Sequence, residues 1–199
     1  EFLTVCQTLL DNGVTPIALK SDSWAGFIWF QAMLAAYDPA LYEGVCDGSI
    51  AYTDEKVVEV MNQWKDMLDK GYFSAPMTNV DMAKSVATGS VAMELEPNYE
   101  ATTIVNDYGL DSKEDLGTFV LPSVDGAKKI VFYEIAPLCV SSTSKDKDAA
   151  IEALKSWFTK ENQTVFTDIT GFLCSSQVTV DNECVNQMVA YTTDSDNYS

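Results

Sequence analysis

Residues 1–19, EFLTVCQTLLDNGVTPIAL, place a helix, its stop and a strand in one continuous stretch. Phe2, Leu3, Cys6, Leu9 and Leu10 recur at the three-and-four spacing that lines one helical face. Asp11-Asn12-Gly13 supplies the stop, because glycine takes the left-handed backbone at a helix end without a Cβ penalty. Val14 to Leu19 then has the length and apolar continuity of a short buried strand. Pro16 has no N–H to give to a ladder, so it points either to an edge strand or to a strand start. A helix that delivers straight into a buried strand is a building unit of α/β architecture.

The same alternation continues outward. Trp24 to Tyr37 is apolar nearly all round, the pattern of a buried helix. Tyr37 to Tyr52, with Pro39, Gly44 and Gly48, reads as loop. Thr53 is placed to cap the next helix, with Asp54 and Glu55 complementing the dipole of its first turn. That helix carries an apolar stripe of Val57, Val60, Met61, Trp64 and Leu68, and Gly71 ends it. A shorter helix spans Val80 to Thr88, Val91 to Leu95 reads as a strand, and Pro97 suits the first turn of a helix running to about Asn106. Thr118 to Leu121 reads as a short strand, followed by Pro122 and an Asp125-Gly126 turn. Lys129 to Val140 is the longest extended segment. Ser144 is placed to cap an amphipathic helix with Ala149, Ala150, Ile151, Leu154, Trp157 and Phe158 on its inner face. A last helical turn or two over Gln163 to Asp168 ends at Gly171, and no internal repeat is visible. The expected fold class is α/β, with helices around a short mixed sheet.

Composition narrows the function. A chain of 199 residues, 47% apolar and with nine Phe, nine Tyr and four Trp, has ample material for a core. Trp24 to Tyr37 is shorter than the roughly 20 apolar residues a membrane helix needs. Twelve Lys and Arg against 30 Asp and Glu give a net charge of −18, a field that repels phosphate backbones and argues against nucleic acid as a partner. The sequence has no histidine, which removes Ser-His-Asp and Cys-His nucleophile systems and the HExxH zinc site. The five cysteines include no CxxC, so clustered metal and redox motifs are absent and no metal or cofactor is expected. Cys6 and Cys139 lie in apolar patterns and read as core residues, while Cys174 and Cys184 flank a loop-like stretch and either pair or stay free. The opening at Glu1 inside a helical pattern and the polar close from Thr192 to Ser199 read as a piece of a longer protein.

No GxGxxG, P-loop, GxSxG or EF-hand spacing is present. Glu94 and Glu96, two apart on an expected strand, share one of its faces, and paired carboxylates are the equipment of glycoside hydrolysis. With 30 acidic residues, such a pair also arises by chance.

Six segments in a fixed order carry a resemblance. EFLTVCQTLLDNGVTPIAL, YTDEKVVEVMNQWKDMLDKGYF, SVATGSVAMELEPNYEATTI, GTFVLPSVDG, IAPLCVSSTSKDKDAAIEALKSWFTKENQ and TGFLCSS are similar, in that order and spacing, to segments of the solute-binding proteins of ABC importers. The resemblance is to the carbohydrate-binding, maltose-binding-protein-like branch. It implies two α/β lobes joined by a hinge, with the ligand in the cleft between them. Residues 1–132 would form the second lobe, and residues 133–199 the hinge-return strand and a helical segment that packs partly on the first lobe. It further implies a non-enzymatic protein outside the cytoplasm, cell-surface or periplasmic, tethered by a lipid where it is a lipoprotein. Its partners would be a small carbohydrate and ABC permease subunits.

A sugar presents apolar C–H faces and a rim of hydroxyls, so its site needs aromatic platforms with carboxylate or amide partners. The turn Glu96-Pro97-Asn98-Tyr99 offers that set, and Tyr99 stands where relatives carry a stacking aromatic. Pro97 departs from the glycine common in that turn, and Tyr99 either offers its face to a ligand or folds onto the core. Trp24 opens a helix where relatives place a cleft residue, or it is buried with Phe27 and Trp29. Tyr133 and Glu134 lie on the return strand, where alternation turns only one of them toward the cleft. Phe172 follows Gly171 in a loop that lines the ligand in some relatives. Other classes remain open at this stage: a hydrolase domain using Glu94, Glu96 or Glu134, a binder of another solute such as a polyamine, and a domain for protein contacts.

Overall fold

A computed structural model describes residues 1–21, 25–123, 129–134, 136–174, 178–194 and 197–198. The chain folds as two units: Glu1–Pro97 with Phe119–Val131 and Asp194–Ser199, and Asn98–Thr118 with Phe132–Thr193.

In the first unit, α1 (Phe2–Asp11) buries Cys6 and leads through Gly13 into β1 (Thr15–Lys20). The helices α2 (Ala25–Tyr37), α3 (Pro39–Asp47) and α4 (Glu55–Asp69) carry the chain to β2 (Phe73–Met77). A fifth helix, α5 (Asn79–Ala87), carries it on to β3 (Val91–Met93). All three strands are parallel, in the order β2-β1-β3, where the sequence reading expects a mixed sheet. Parallel neighbours cannot be joined by a tight hairpin, which is why helices intervene. The α/β class stands. Lys129–Ile130 (β4) pairs with Asn197–Tyr198 (β5) in a separate two-stranded ladder.

Because β1 is bonded on both edges and covered on its faces, it is an apolar run rather than an alternating one. Pro16, Ile17, Ala18 and Lys20 are buried. Pro16 resolves to the strand-start alternative: it is the second residue of a central strand, and the next N–H, of Ile17, donates to the Tyr72 carbonyl at 3.0 Å. One apolar cluster gathers Cys6, Ile17, Trp29, Met67 and Tyr72, and a second gathers Leu34, Leu41, Val57 and Val60. Trp29 meets Phe73 edge-on with centroids 5.1 Å apart. The helix α2 is not buried on every side, since Phe27 is exposed.

Several local expectations are corrected here. The segment read as loop contains α3. Asp38 caps it by accepting from the Ala40 N–H at 3.0 Å, and Pro39 sits in the first turn, where its missing N–H has no intrahelical partner to lose. Gly48 closes it at φ 80°. The next cap is Asp54 rather than Thr53, with the Lys56 N–H donating to its Oδ1 at 3.0 Å. The inward stripe of α4 is Val57, Val60 and Met67 with half-buried Trp64, while Met61 and Leu68 are exposed.

The second unit holds α6 (Tyr99–Tyr108), α7 (Lys147–Trp157), α8 (Lys160–Thr170) and α9 (Glu183–Thr193). The helix read as starting at Pro97 begins at Tyr99, and α7 is capped by Asp146 through the Ala149 N–H at 2.9 Å, not by Ser144. No residue of α7 is buried, and Ile151, Trp157 and Phe158, expected inside, are exposed. The helix α9 was not anticipated. Asn182 accepts from the Cys184 N–H at its start, and Val185 packs with Val178 and Val180.

Thr118 to Leu121 is irregular, and of Lys129 to Val140 only Lys129–Ile130 is strand among the described residues. Cys139, on that irregular stretch, is exposed rather than core. Cys6, Cys46, Cys139 and Cys184 are free thiols, so the bridge considered between Cys174 and Cys184 is not formed. The Cys184 sulfur lies 3.4 Å from the carbonyls of Ser112 and Leu116, and burial raises the pKa of both Cys184 and Cys6.

Two outcomes are expected. Asp54→Ala lowers the unfolding free energy in urea by about 1 kcal/mol, whereas Thr53→Ala changes it by less than about 0.5 kcal/mol. In the native protein a thiol reagent modifies Cys46 and Cys139 well before Cys6 and Cys184, as peptide mapping by mass spectrometry would show.

Candidate functional site

From β1 the chain passes first to one neighbour, β2, and then to the other, β3. In open parallel sheets the crevice beyond the carboxyl ends of the strands, at such a reversal, is where ligands bind. Lys20 is the last residue of β1, and Glu96 lies just beyond β3. The pairing Thr15↔Val91 and Ile17↔Met93, continued along the chain, sets Lys20 opposite Glu96. Their side chains meet there: Lys20 Nζ is 3.3 Å from Glu96 Oε2, and each side chain is 3% exposed. Two opposite charges withdrawn from water together compensate each other. β3 ends at Met93, so Glu94 and Glu96 do not share a strand face, and the Glu96 carboxylate is engaged by β1.

In the second unit the first turn of α6 and the end of α8 are built onto one another. The Asn98 side-chain amide, just before α6, donates to the Gly171 carbonyl. Gly171 ends α8 at φ 75°. A Cβ there would stand 2.4 Å from Thr102 Oγ1 and 2.9 Å from Tyr99 Cα, so only glycine permits this approach. The contact brings Phe172 onto Tyr99, with ring centroids 4.9 Å apart and planes at 40°. Phe166 lies 6.2 Å from Phe172 on a nearly parallel plane. Phe172 is 46% exposed, so this aromatic group presents apolar surface to solvent of the kind a sugar's C–H groups pack against.

The expected residues therefore fall into distinct places. Asn98, Tyr99 and Phe172 come together in the second unit, and Glu96 pairs with Lys20 in the first. Tyr133 and Glu134 are exposed on an irregular segment, so the alternation that was to select one of them has no strand to act on. Trp24 lies outside the described residues. Lys20 and Gly171 were not singled out as site residues. The signal for Lys20 was a lysine closing an apolar run, and Gly171 read only as a helix end. Among the described residues no group of three His, Cys, Asp or Glu is placed to hold a metal ion, and no helix is long and apolar enough to cross a membrane.

Comparison with known proteins adds the following. A profile of bacterial extracellular solute-binding proteins matches residues 1–193. No curated protein matches the chain. Among solved structures, a chitin oligosaccharide binding protein superposes with a TM-score of 0.77 at 19% identity, and the match covers 95% of this chain and 50% of that one. At that identity the likeness is one of fold, and the chain spans half the length of that protein.

Gly171→Ala is expected to destabilise the protein by about 2–4 kcal/mol, combining left-handed strain with the clash on α6. Gly109→Ala has the same strain at φ 71° but open space around it, and costs only about 1–2 kcal/mol. Chemical denaturation of the two variants checks the difference.

Proposed function

The chain belongs to the bacterial extracellular solute-binding proteins, and we propose that it captures a sugar or oligosaccharide as the substrate-binding component of an ABC importer. The family match over residues 1–193 carries the binding role and the extracellular location. The carbohydrate reading is supported by the aromatic pair Tyr99–Phe172, with Phe172 exposed, and by a fold shared with a chitin oligosaccharide binding protein.

In this reading residues 1–132 belong to one lobe of a two-lobed protein, and residues 133–199 to the segment returning toward the other. In the second unit Tyr99 and Phe172 offer stacking surfaces and Asn98 a hydroxyl contact, with Tyr133 and Glu134 as further candidate contacts, and in the first unit the candidates are Glu96 and Trp24. Capture closes the lobes, and the closed form docks on the permease subunits, with a lipid anchor holding the protein at the cell surface. No chemical step and no cofactor are involved.

Thermal unfolding of the full-length protein against a panel of mono- and oligosaccharides tests the proposal. A saccharide at a hundredfold its dissociation constant stabilises by about 2.7 kcal/mol, a shift of several degrees. The shift is expected with at least one saccharide, to be lost in Tyr99→Ala, and to leave the saccharide unhydrolysed by chromatography. No shift with any saccharide removes carbohydrate, and a cleaved product removes the non-enzymatic role.

A further inference from the structure

The aromatic contact between Tyr99 and Phe172 continues into the second unit. Phe172 lies 6.2 Å from Phe166 of α8, and Phe166 meets the Trp157 ring, at the end of α7, at 5.1 Å and 65°. Four rings therefore touch in sequence from the start of α6 to the end of α7, all in one unit. Trp157 belongs by its spacing to an inner helix face, yet it is 39% exposed, comparable to Phe172. Ile169, exposed as well, lies three residues from Phe166 and so shares its side of α8.

An amide stands near each end of the row. Asn98, beside Tyr99, donates its side-chain amide to the Gly171 carbonyl. Asn162, four residues before Phe166 and on the same side of α8, donates its own to the Ser156 carbonyl at 2.7 Å. These bonds orient both side chains, and the Oδ1 of each is an acceptor that a hydroxyl can meet.

We propose that the row is a saccharide strip several rings long, with Trp157 and Asn162 as its far end, and that it makes the protein select oligosaccharides over single sugars. The proposal rests on the reading that Tyr99 and Phe172 bind sugar. One pyranose covers about one aromatic ring, so a monosaccharide at Tyr99 leaves Trp157 untouched. Consecutive sugars advance along their chain in steps comparable to the ring-to-ring distances here, so later ones reach Trp157. Each further C–H face withdrawn from water adds affinity. The rings already rest on one another, so little side-chain freedom is lost when a chain settles on them. Continuity with Tyr99 and Phe172, together with an amide near either end, favours a saccharide over an apolar polypeptide as the occupant.

The test titrates the full-length wild type, Trp157→Ala and Tyr99→Ala calorimetrically with glucose, N-acetylglucosamine and mannose homopolymers of one to five rings. Wild-type affinity is expected to rise with length up to at least three rings. Tyr99→Ala weakens every length, whereas the loss in Trp157→Ala grows from less than about twofold for one ring to about tenfold for three or more. Trp157→Phe recovers most of that loss. An affinity that stops rising at one ring overturns the proposal and leaves sugar binding standing, whereas no binding at any length removes both. A Trp157→Ala loss equal at every length overturns it too, as does unchanged affinity in a destabilised Trp157→Ala, the result of polypeptide packed on the row. If circular dichroism shows Trp157→Ala unfolded, Asn162→Ala takes its place. The same length-dependent loss is expected, and its absence overturns the assignment.

Discussion

The hydrogen-bond ladders on both edges of β1 are the constraint on which the first unit depends. Its six residues, four of them buried and two half-buried, must find partners for their backbone groups within the protein, because water cannot supply them. β2 and β3 provide those partners only by running parallel to β1, which in turn demands the long helical crossovers α2–α4 and α5. Where the β1–β2 register slips between Ile17 and Leu19, the Ser74 hydroxyl accepts from the Leu19 N–H at 3.0 Å and keeps that donor satisfied. The apolar clusters then follow from which sides of α1, α2 and α4 are turned inward.

At the carboxyl end of this strand the physics changes from backbone pairing to charge pairing. A buried ion pair is a weak source of stability, since the desolvation of both groups nearly offsets their attraction. Removing one partner is costly, about 3–5 kcal/mol, because it strands the other charge. A pair of well-packed apolar side chains would hold the same strand end at least as well.

Legibility in the sequence followed the range of the interactions involved. The α1–β1 unit was readable because helical periodicity and the Asp11-Asn12-Gly13 stop are local. α3 was missed because Pro39, Gly44 and Gly48 were counted as breakers, although each occupies a position a helix can use. Pro39 lies in the first turn and Gly48 at the left-handed close, and at Gly44 a Cβ would stand 2.5 Å from Ile50 Cδ1. β2 has no alternation and contains Pro76, so its pairing with β1, rather than its own pattern, makes it a strand. The described residues between Val131 and Val140 show the converse: strand-forming residues remain irregular where no neighbouring strand receives them. In the site, the Glu96–Tyr99 turn was found through resemblance, and the aromatic partner Phe172 with it. Lys20 and Gly171 became visible only with the fold, because Lys20 meets Glu96 across 76 positions and Asn98 meets Gly171 across 73.

The burial of Lys20 also sorts the amines of this protein by reactivity. Every cationic side chain in the sequence is a lysine, and acylating reagents attack only an uncharged amine that they can reach from solvent. Each of the other described lysines is open to them, whereas Lys20 is enclosed beside Glu96 with its side chain 3% exposed. Coupling a dye or a solid support through amines thus decorates the periphery and leaves the carboxyl edge of the sheet chemically untouched.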